Sequence, residues 1–464
     1  MRTCTFGGSS LANAAQLEKV RLIVEDDPRR RYIVVSAPGR DDNDGEKATD
    51  HLLNIATEGN HFREQRKDIT PKQSFDSVMG TFARLIDESG IDGGDLLSDL
   101  KNDLNSTLDM NKRIDFMASR GEHYHAKLIC RYFQKKGMHA QVMMPEDIGL
   151  IVSDDFSNAK VLPETYDNLK KLGKMDGIIV IPGYYGVTKG GDVAVFSRGG
   201  SDLTGGEVAY AINADVYENW TDTDGIYQVD PQFVNDARVI PRLTYKEIRL
   251  LSSKGFDVFH FDAMINCKKR NIPINIRNTN NPSAPGTLIV SERVPEETAV
   301  GIARLDNVAY IYLEKDGIGE VIGATKDVLD ILKEHAVRTY HYPADKDDLA
   351  VLVDQNDLIS KANIIREEIE RALNPDVLEM IYNLSILSPV GIGMKHNPGI
   401  LAQAAAALKD ENINIEIVDQ GPGQISFHFG IQSYYADAAL RALYQSLIAD
   451  APASEQSVRH KKNE

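Results

Sequence analysis

The stretch TFGGSS, residues 5–10, follows the short run MRTC and precedes LANAAQLEKVRLIVED, residues 11–26, whose apolar spacing predicts a helix. Two adjacent glycines between a predicted strand and a predicted helix leave several amides bare at the positive end of the helix dipole, an arrangement that holds phosphate. Alone, the pattern also fits a plain turn, since it is neither a Walker A loop nor a GxGxxG fingerprint. Its recurrence strengthens the phosphate reading. FSRGGSDLTGG, residues 196–206, again follows a strand-like run, DVAVF, and again opens a helical pattern. Arg198 there offers a bidentate partner to a carboxylate or phosphate, and Gly199 and Gly200 leave their amides approachable. Asp202 is placed either to cap the helix or to hold Mg2+ and orient a phosphate.

Outward from these loops, RYIVVSAPG (31–39), DGIIVIPGYYG (176–186), ADVYENWTDTDGIY (214–227) and IPINIRNT (272–279) read as buried strands that stop at glycine, proline or polar residues. Helical stretches separate them. The pattern predicts an α/β domain over residues 1–295, a largely parallel sheet with helices on both faces and a ligand at the carboxyl ends of the strands. After NNPSAPGTLIVSERVPEE the texture changes. Residues 310–354 and 380–431 each run strand, helix, strand, strand, with Gly319 or Gly323 ahead of the first helix and Gly399 ahead of the second. Two duplicated α+β modules are therefore expected, at 300–376 and 377–450, with 298–306 able to interlace into the second and 451–464 a flexible tail. EKDGIG and HNPGIL are their expected ligand-facing loops.

The chain of 464 residues is long enough for two to four domains at about 150 residues each. With 42% hydrophobic and 26% charged residues it has the composition of a soluble globular protein. Its net charge of −17 argues against binding nucleic acid or anionic membrane, and the same field repels anionic metabolites. An anionic substrate then requires a local positive field from arginines, amides or a metal ion. Cys4, Cys130 and Cys267 form no CxxC pair, which predicts neither a disulfide framework nor a zinc site and fits a cytoplasmic location. No apolar run approaches a membrane span, and the start lacks a basic then hydrophobic leader, so neither export nor anchoring is expected. His123 and His125, one residue apart on a predicted helix, point to different sides and are not read as a metal pair. Asp222 and Asp224 flank Thr223 like calcium ligands, but no glutamate follows at the loop spacing and a turn is the better reading.

TFGGSS, VVSAPG, SRGE, FSRGGSDLTGG, NWTDTDGIYQVDP and NIRNTNNPSAPGT, in this order and at this spacing, resemble the aspartate kinase family of the amino-acid-kinase fold, and the terminal modules resemble its paired, ferredoxin-like ACT domains. The resemblance spans nearly the whole chain. It implies phosphoryl transfer from ATP and Mg2+ to the β-carboxylate of L-aspartate, giving 4-phospho-L-aspartate, the first step toward lysine, threonine and methionine. By the same resemblance Gly7, Gly8 and Ser9, with Asp202, would serve the transferred phosphate. Glu122 would bind the substrate ammonium and Arg198 its α-carboxylate, with Thr49 and Ser201 completing the pocket. Thr221, Asp222, Tyr227 and Asp230 would face the nucleotide. Gly317, Ile318, Gly319, Glu320 and Val321 would wall an effector pocket, their free amides taking the carboxylate of lysine or threonine, opposite VRTYHYPADKDDLAV. Assembly into a homodimer or higher homo-oligomer through these modules is expected, because each leaves a sheet edge to cover.

Three positions depart from the family pattern. Thr5 stands where the family has a lysine before phenylalanine-glycine-glycine, Gln232 where an arginine is usual, and Asp257 where some members carry a lysine. Lys47 and Lys189 are the candidates to restore the lost charge. If the missing lysine limits the rate, Thr5→Lys should raise kcat. The competing expectation is a weak or silent paralogue that senses amino acids.

Overall fold

The computed structural model describes residues 1–40, 45–197, 199–253 and 261–449; Arg198, Asp257 and the 451–464 tail lie outside this set. The described chain forms two compact units. The first holds residues 1–226, 239–245 and those up to 293; the second holds 227–238, 246–253 and those from 294 on.

The first unit grows from the β-branched runs of the sequence. In chain order its strands are β1 (Arg2–Phe6), β2 (Arg30–Val35), β3 (Ala140–Val142), β4 (Ile151–Val152), β5 (Ile178–Pro182), β6 (Tyr185–Thr188), β7 (Val193–Val195), β8 (Val216–Thr221), β9 (Arg242–Thr244), β10 (Ile274–Asn278) and β11 (Thr287–Val290). Eight of them form one sheet in the order β3-β5-β2-β1-β8-β10-β11-β9. Neighbours run parallel except the pair β10 and β11. The near-continuous apolar strands read as buried are buried, as a parallel sheet covered on both faces requires. DVAVF belongs elsewhere: β7 pairs with β6 in a separate three-stranded sheet, β4-β6-β7.

The chain leaves β1 toward β2 and leaves β8 toward β10, so the carboxyl ends of adjacent β1 and β8 open a crevice where the connections diverge. Near the other end of these strands the fully buried Glu218 carboxylate is held by Arg30 Nε (2.8 Å), Arg2 and Trp220 Nε1 (3.0 Å). These charge-assisted bonds keep its carboxyl below the usual range against the opposing loss of hydration. The helix predicted at 11–26 begins later, at Ala14: residues 8–11 close a 3-10 turn, and Asn13 caps the helix by accepting from Gln16 N (3.0 Å).

The second unit is a six-stranded sheet of β12 (Gly301–Glu314), β13 (Thr339–His341), β14 (Asp348–Asp354), β15 (Val377–Val390), β16 (Ile417–Asp419) and β17 (His428–Gln432), ordered β13-β14-β12-β15-β17-β16. The long strands β12 and β15 pair along their whole lengths and break register near Val308. Asn307 and Asn383 take left-handed backbone at that break, a conformation asparagine tolerates better than most residues. Helices Ala324–Glu334 and Ala362–Leu373 cover one half of the sheet; Ile400–Asp410 and Ala436–Tyr444 cover the other. Gly323 and Gly399 each sit at φ of +101° and +91° before a helix, so of the two glycines read as alternatives in the first repeat, Gly323 starts the helix and Gly319 lies in a 3-10 turn. Val308, Leu352, Leu384 and Ile386, with Tyr340 and Ile417 packed on them, form a third apolar cluster.

Candidate active site

The crevice at the ends of β1 and β8 is a cleft of about 860 Å³. Gly7 N donates to Trp220 O (3.1 Å), tying the β1 loop to β8. Gly8 and Gly39 cross: a Cβ on Gly39 would lie 2.5 Å from Gly8 O, and one on Gly8 3.0 Å from Ala37 O. The bare backbone of TFGGSS is therefore touching SAPG, the loop that ends β2, and the two loops together floor the cleft. Ser9 is exposed toward the cleft, whereas Ser10 is buried against Thr279 Oγ1 (2.7 Å).

The helix Gly200–Ile212 starts after Gly199, at φ +75°, and its first turn delivers Ser201 and Asp202 to the cleft. A Cβ on Gly183 would lie 2.7 Å from Ser201 Oγ, and one on Gly200 2.6 Å from the Tyr184 ring, so glycines at both positions let these elements close together. Tyr184 itself lines the cleft at φ +76°, rare for an aromatic residue, and its N–H donates to Thr204 Oγ1 (3.2 Å). Asp202 accepts from Asn219 Nδ2 (2.7 Å), and loss of hydration raises its carboxyl to about 6.

Glu122 projects from the middle of the helix Met110–Lys135 and is 5% exposed. Its neighbour Gly121 permits the approach, since a Cβ there would lie 2.7 Å from Ala37 Cβ. One Glu122 oxygen, Oε2, is buried with no hydrogen-bond partner among the described residues, and burial pushes the carboxyl up to about 8 despite a bond from the Ala37 backbone. A buried carboxylate with an open oxygen at a cleft is built to receive a cation. Thr49, in the first turn of the helix Ala48–Ala56, lines the same cleft.

Of the two cations proposed to replace the family lysine, Lys47 lines the cleft, while Lys189 is ion-paired with Glu164 (2.6 Å) and does not. Arg40, which no motif singled out, lines it too. Thr5 is wholly buried and outside the lining: its hydroxyl bonds Tyr217 OH (2.9 Å), which donates to Asp202 O (3.1 Å). Gly205 packs so closely that a Cβ there would lie 2.1 Å from Thr5 Oγ1. The position has been refilled, so Thr5→Lys is expected to lower kcat and to cost several kcal/mol of stability through an ill-solvated ammonium. Steady-state kinetics and thermal melts check this; a rise in kcat at unchanged Tm would refute it.

Asp222 lines the cleft, and Thr221 Oγ1 bonds its carboxylate (3.2 Å) without lining it. Asp224 accepts from Asn278 (2.7 Å) and Asn281 (3.1 Å), so the aspartate pair is divided between cleft and loop, as a turn requires. Tyr227 and Asp230 fall in the second unit, where Asp230 Oδ1 accepts from Gln232 N (2.8 Å) and the neighbouring Val229 and Val234 are core. His123 Nδ1 meets Tyr185 OH and His125 Nδ1 meets Ser36 O, each at 2.8 Å, so they do point apart.

The expected effector loop differs from expectation in one respect. Its amides are already spent: Gly317 N donates to Asp347 Oδ1 (2.7 Å), Gly319 N to Lys346 O (2.8 Å), and Ile318, Glu320 and Val321 N close the 3-10 turn. A Cβ on Gly319 would lie 2.2 Å from Asp345 O, so the loop and the segment opposite are packed closely together. The corresponding loop of the second repeat, HNPGIL, borders a cavity of about 460 Å³ with Gln420, Gln424 and Phe427.

A glycine-crossed cleft at a sheet switch point, with acidic groups and two cations around it, is the architecture of small-molecule phosphotransferases of one class. The amino acid kinase family profile matches residues 4–278, and an ACT domain profile matches residues 387–447. Aspartokinase 3 of Bacillus subtilis is 39% identical over 457 residues, 97% of this chain and 99% of that protein. The crystal structure of Clostridium acetobutylicum aspartate kinase, described as an allosteric enzyme, superimposes with a TM-score of 0.85 at 32% identity, covering 96% of this chain and 100% of that one. Escherichia coli aspartokinase III, in complex with aspartate and ADP, shares the fold at 19% identity and a TM-score of 0.73 over 96% and 99% of the two chains. The chain belongs to the aspartate kinases of the amino acid kinase family. It is a phosphotransferase with a carboxyl group as acceptor, and the near full-length match does not favour a silent sensor.

Proposed function

We propose that the cleft phosphorylates the β-carboxylate of L-aspartate with ATP and Mg2+, and that Glu122 identifies the acceptor as an amino acid. The supporting observation is the buried Glu122 oxygen at the cleft, without a hydrogen-bond partner among the described residues, which suits a substrate ammonium. Thr49 and Ser201 lie in the same lining to hold the aspartate, and Arg198 is assigned to its α-carboxylate. Gly7, Gly8 and Ser9 offer the close-set backbone that suits phosphate, and Arg40 and Lys47 offset charge that the family lysine would otherwise meet. The carboxylates of Asp202 and Asp222 are the oxygen ligands that suit Mg2+, which when bound neutralises phosphate charge. Thr221 is assigned with Asp222 to the nucleotide. A β-carboxylate oxygen attacks the γ-phosphorus in line, the bond to the β-γ bridging oxygen breaks, and ADP leaves, with catalysis mainly positioning and charge neutralisation.

Aspartyl hydroxamate formation tests this. With ATP, Mg2+, aspartate and hydroxylamine, the reading requires hydroxamate that depends on both substrates; none at high enzyme, with intact aspartate binding, would refute it. For regulation, lysine or threonine is proposed as effector of a homodimer joined through the terminal modules. One of the two is expected to raise Tm and change the rate; a sedimenting monomer unmoved by either would contradict the proposal.

A further inference from the structure

Three strands of the second unit bring one carboxylate and two imidazoles together. His341 closes β13, Asp419 closes β16 and His428 opens β17, and one ligand atom from each lies within 4.8 Å of the others. β13 and β16 are the two outermost strands of the six-stranded order, so only the fold of the sheet joins them. The contact is direct: His341 Nδ1 stands 3.1 Å from Asp419 Oδ2, and the two imidazole rings are 4.7 Å apart at 43°. Their neighbours Tyr340 and Ile417 meet in one apolar cluster, which supplies a dry wall on that side.

We infer that His341, Asp419 and His428 form a binding site for a divalent transition-metal ion of the zinc class, clamping the outer strand of the first module to the outer strands of the second. Two imidazoles and a carboxylate suit Zn2+, Co2+ or Ni2+, whereas Mg2+ prefers all-oxygen ligands, so the site is chemically distinct from one for a nucleotide's metal. Tetrahedral ligands at bond lengths of about 2.0–2.2 Å stand about 3.3 Å apart, close to the His341–Asp419 spacing. His428 needs only a small approach. Its orientation is prepared: buried His428 is held through Nδ1 by fully buried Ser388 Oγ (2.7 Å), as an outer-shell partner holds a ligand. His341 and Asp419 are half-exposed, which leaves a path for entry and a fourth position for water.

The test uses the full chain without an affinity tag, stripped with chelator and titrated with Co2+ and with Zn2+. The expected result is one equivalent of Co2+ per chain, with the visible ligand-field bands of a tetrahedral nitrogen-oxygen site, and Zn2+ displacing it. His341→Gln and Asp419→Asn are each expected to weaken Zn2+ binding about 100-fold or more, and Ser388→Ala about 10-fold while keeping the bands. Both ligand variants lie on partly exposed positions, so circular dichroism can confirm a folded chain even where His428→Gln fails to fold. Two results overturn the inference: no ligand-field bands at saturating Co2+, or bands and affinity unchanged in folded His341→Gln and Asp419→Asn. A cluster that is only a His–Asp ion pair gives the first.

Discussion

Replacing Glu122 with glutamine is expected to raise the KM for aspartate about 100-fold or more and to leave the KM for ATP nearly unchanged. The side chain is buried at the cleft, its Oε2 has no hydrogen-bond partner among the described residues, and the proposed function gives that open oxygen to the substrate ammonium. Removing one partner of a buried charge pair costs about 2–5 kcal/mol, and glutamine offers the ammonium no charge. The same burial sets a pH dependence. With the free carboxyl pushed up to about 8, aspartate affinity should rise as pH climbs from 6 to 8, and the glutamine variant should lose that slope. Stability should move oppositely. The native state holds a proton that the unfolded chain releases near 4.5, so the stability of the parent is full below that value and falls as pH rises toward 8. The variant should therefore melt above its parent at pH 8 and converge with it near pH 4.5. An unchanged aspartate KM would remove Glu122 from the site; a variant less stable at pH 8 would show that its carboxylate is satisfied.

Gly39→Ala is expected to lower kcat by 100-fold or more and to weaken ATP binding. A Cβ there would lie 2.5 Å from Gly8 O and 2.7 Å from Gly8 C, distances that real Cβ atoms do not keep, and both obstacles are backbone. The β1 and β2 loops must separate, and displacement near 1 Å is enough to cost about 100-fold at a reacting centre. Gly7→Ala is the matched control. Its Cβ would find only Trp220 O at 3.7 Å, an ordinary contact, so the protein should keep its Tm while ATP affinity falls through the methyl group in the cleft. Equal kinetics for wild type and Gly39→Ala would show that the crossing does not position substrate.

Much of this molecule was legible because its signals are local. Apolar runs such as RYIVV and IIVIP cannot sit elsewhere than in a covered sheet, and Gly323 and Gly399 precede their helices for the same backbone reason. SRGE marks Glu122 as a candidate only through resemblance, while Gly121 beside it has a packing reason, since the helix presses on Ala37. Arg40 and Tyr184 gave no signal, because neither charge nor ring in a loop says which way it faces until the strands are ordered. Gly317–Val321 misled on one point, since an open glycine loop in sequence spends its amides on Asp347 and Lys346, which lie about 30 residues away.

From residue types and spacing alone came the parallel sheet, the duplicated modules and the glycine loops, since periodicity and backbone permissiveness are properties of short segments. Tertiary structure alone decided that Gly8 lies against Gly39, that Lys47 rather than Lys189 stands at the cleft, that Thr5 is sealed by Tyr217, and that His341 meets Asp419 and His428. Each of these joins groups distant in the chain, and their approach depends on strand order, which no local preference encodes.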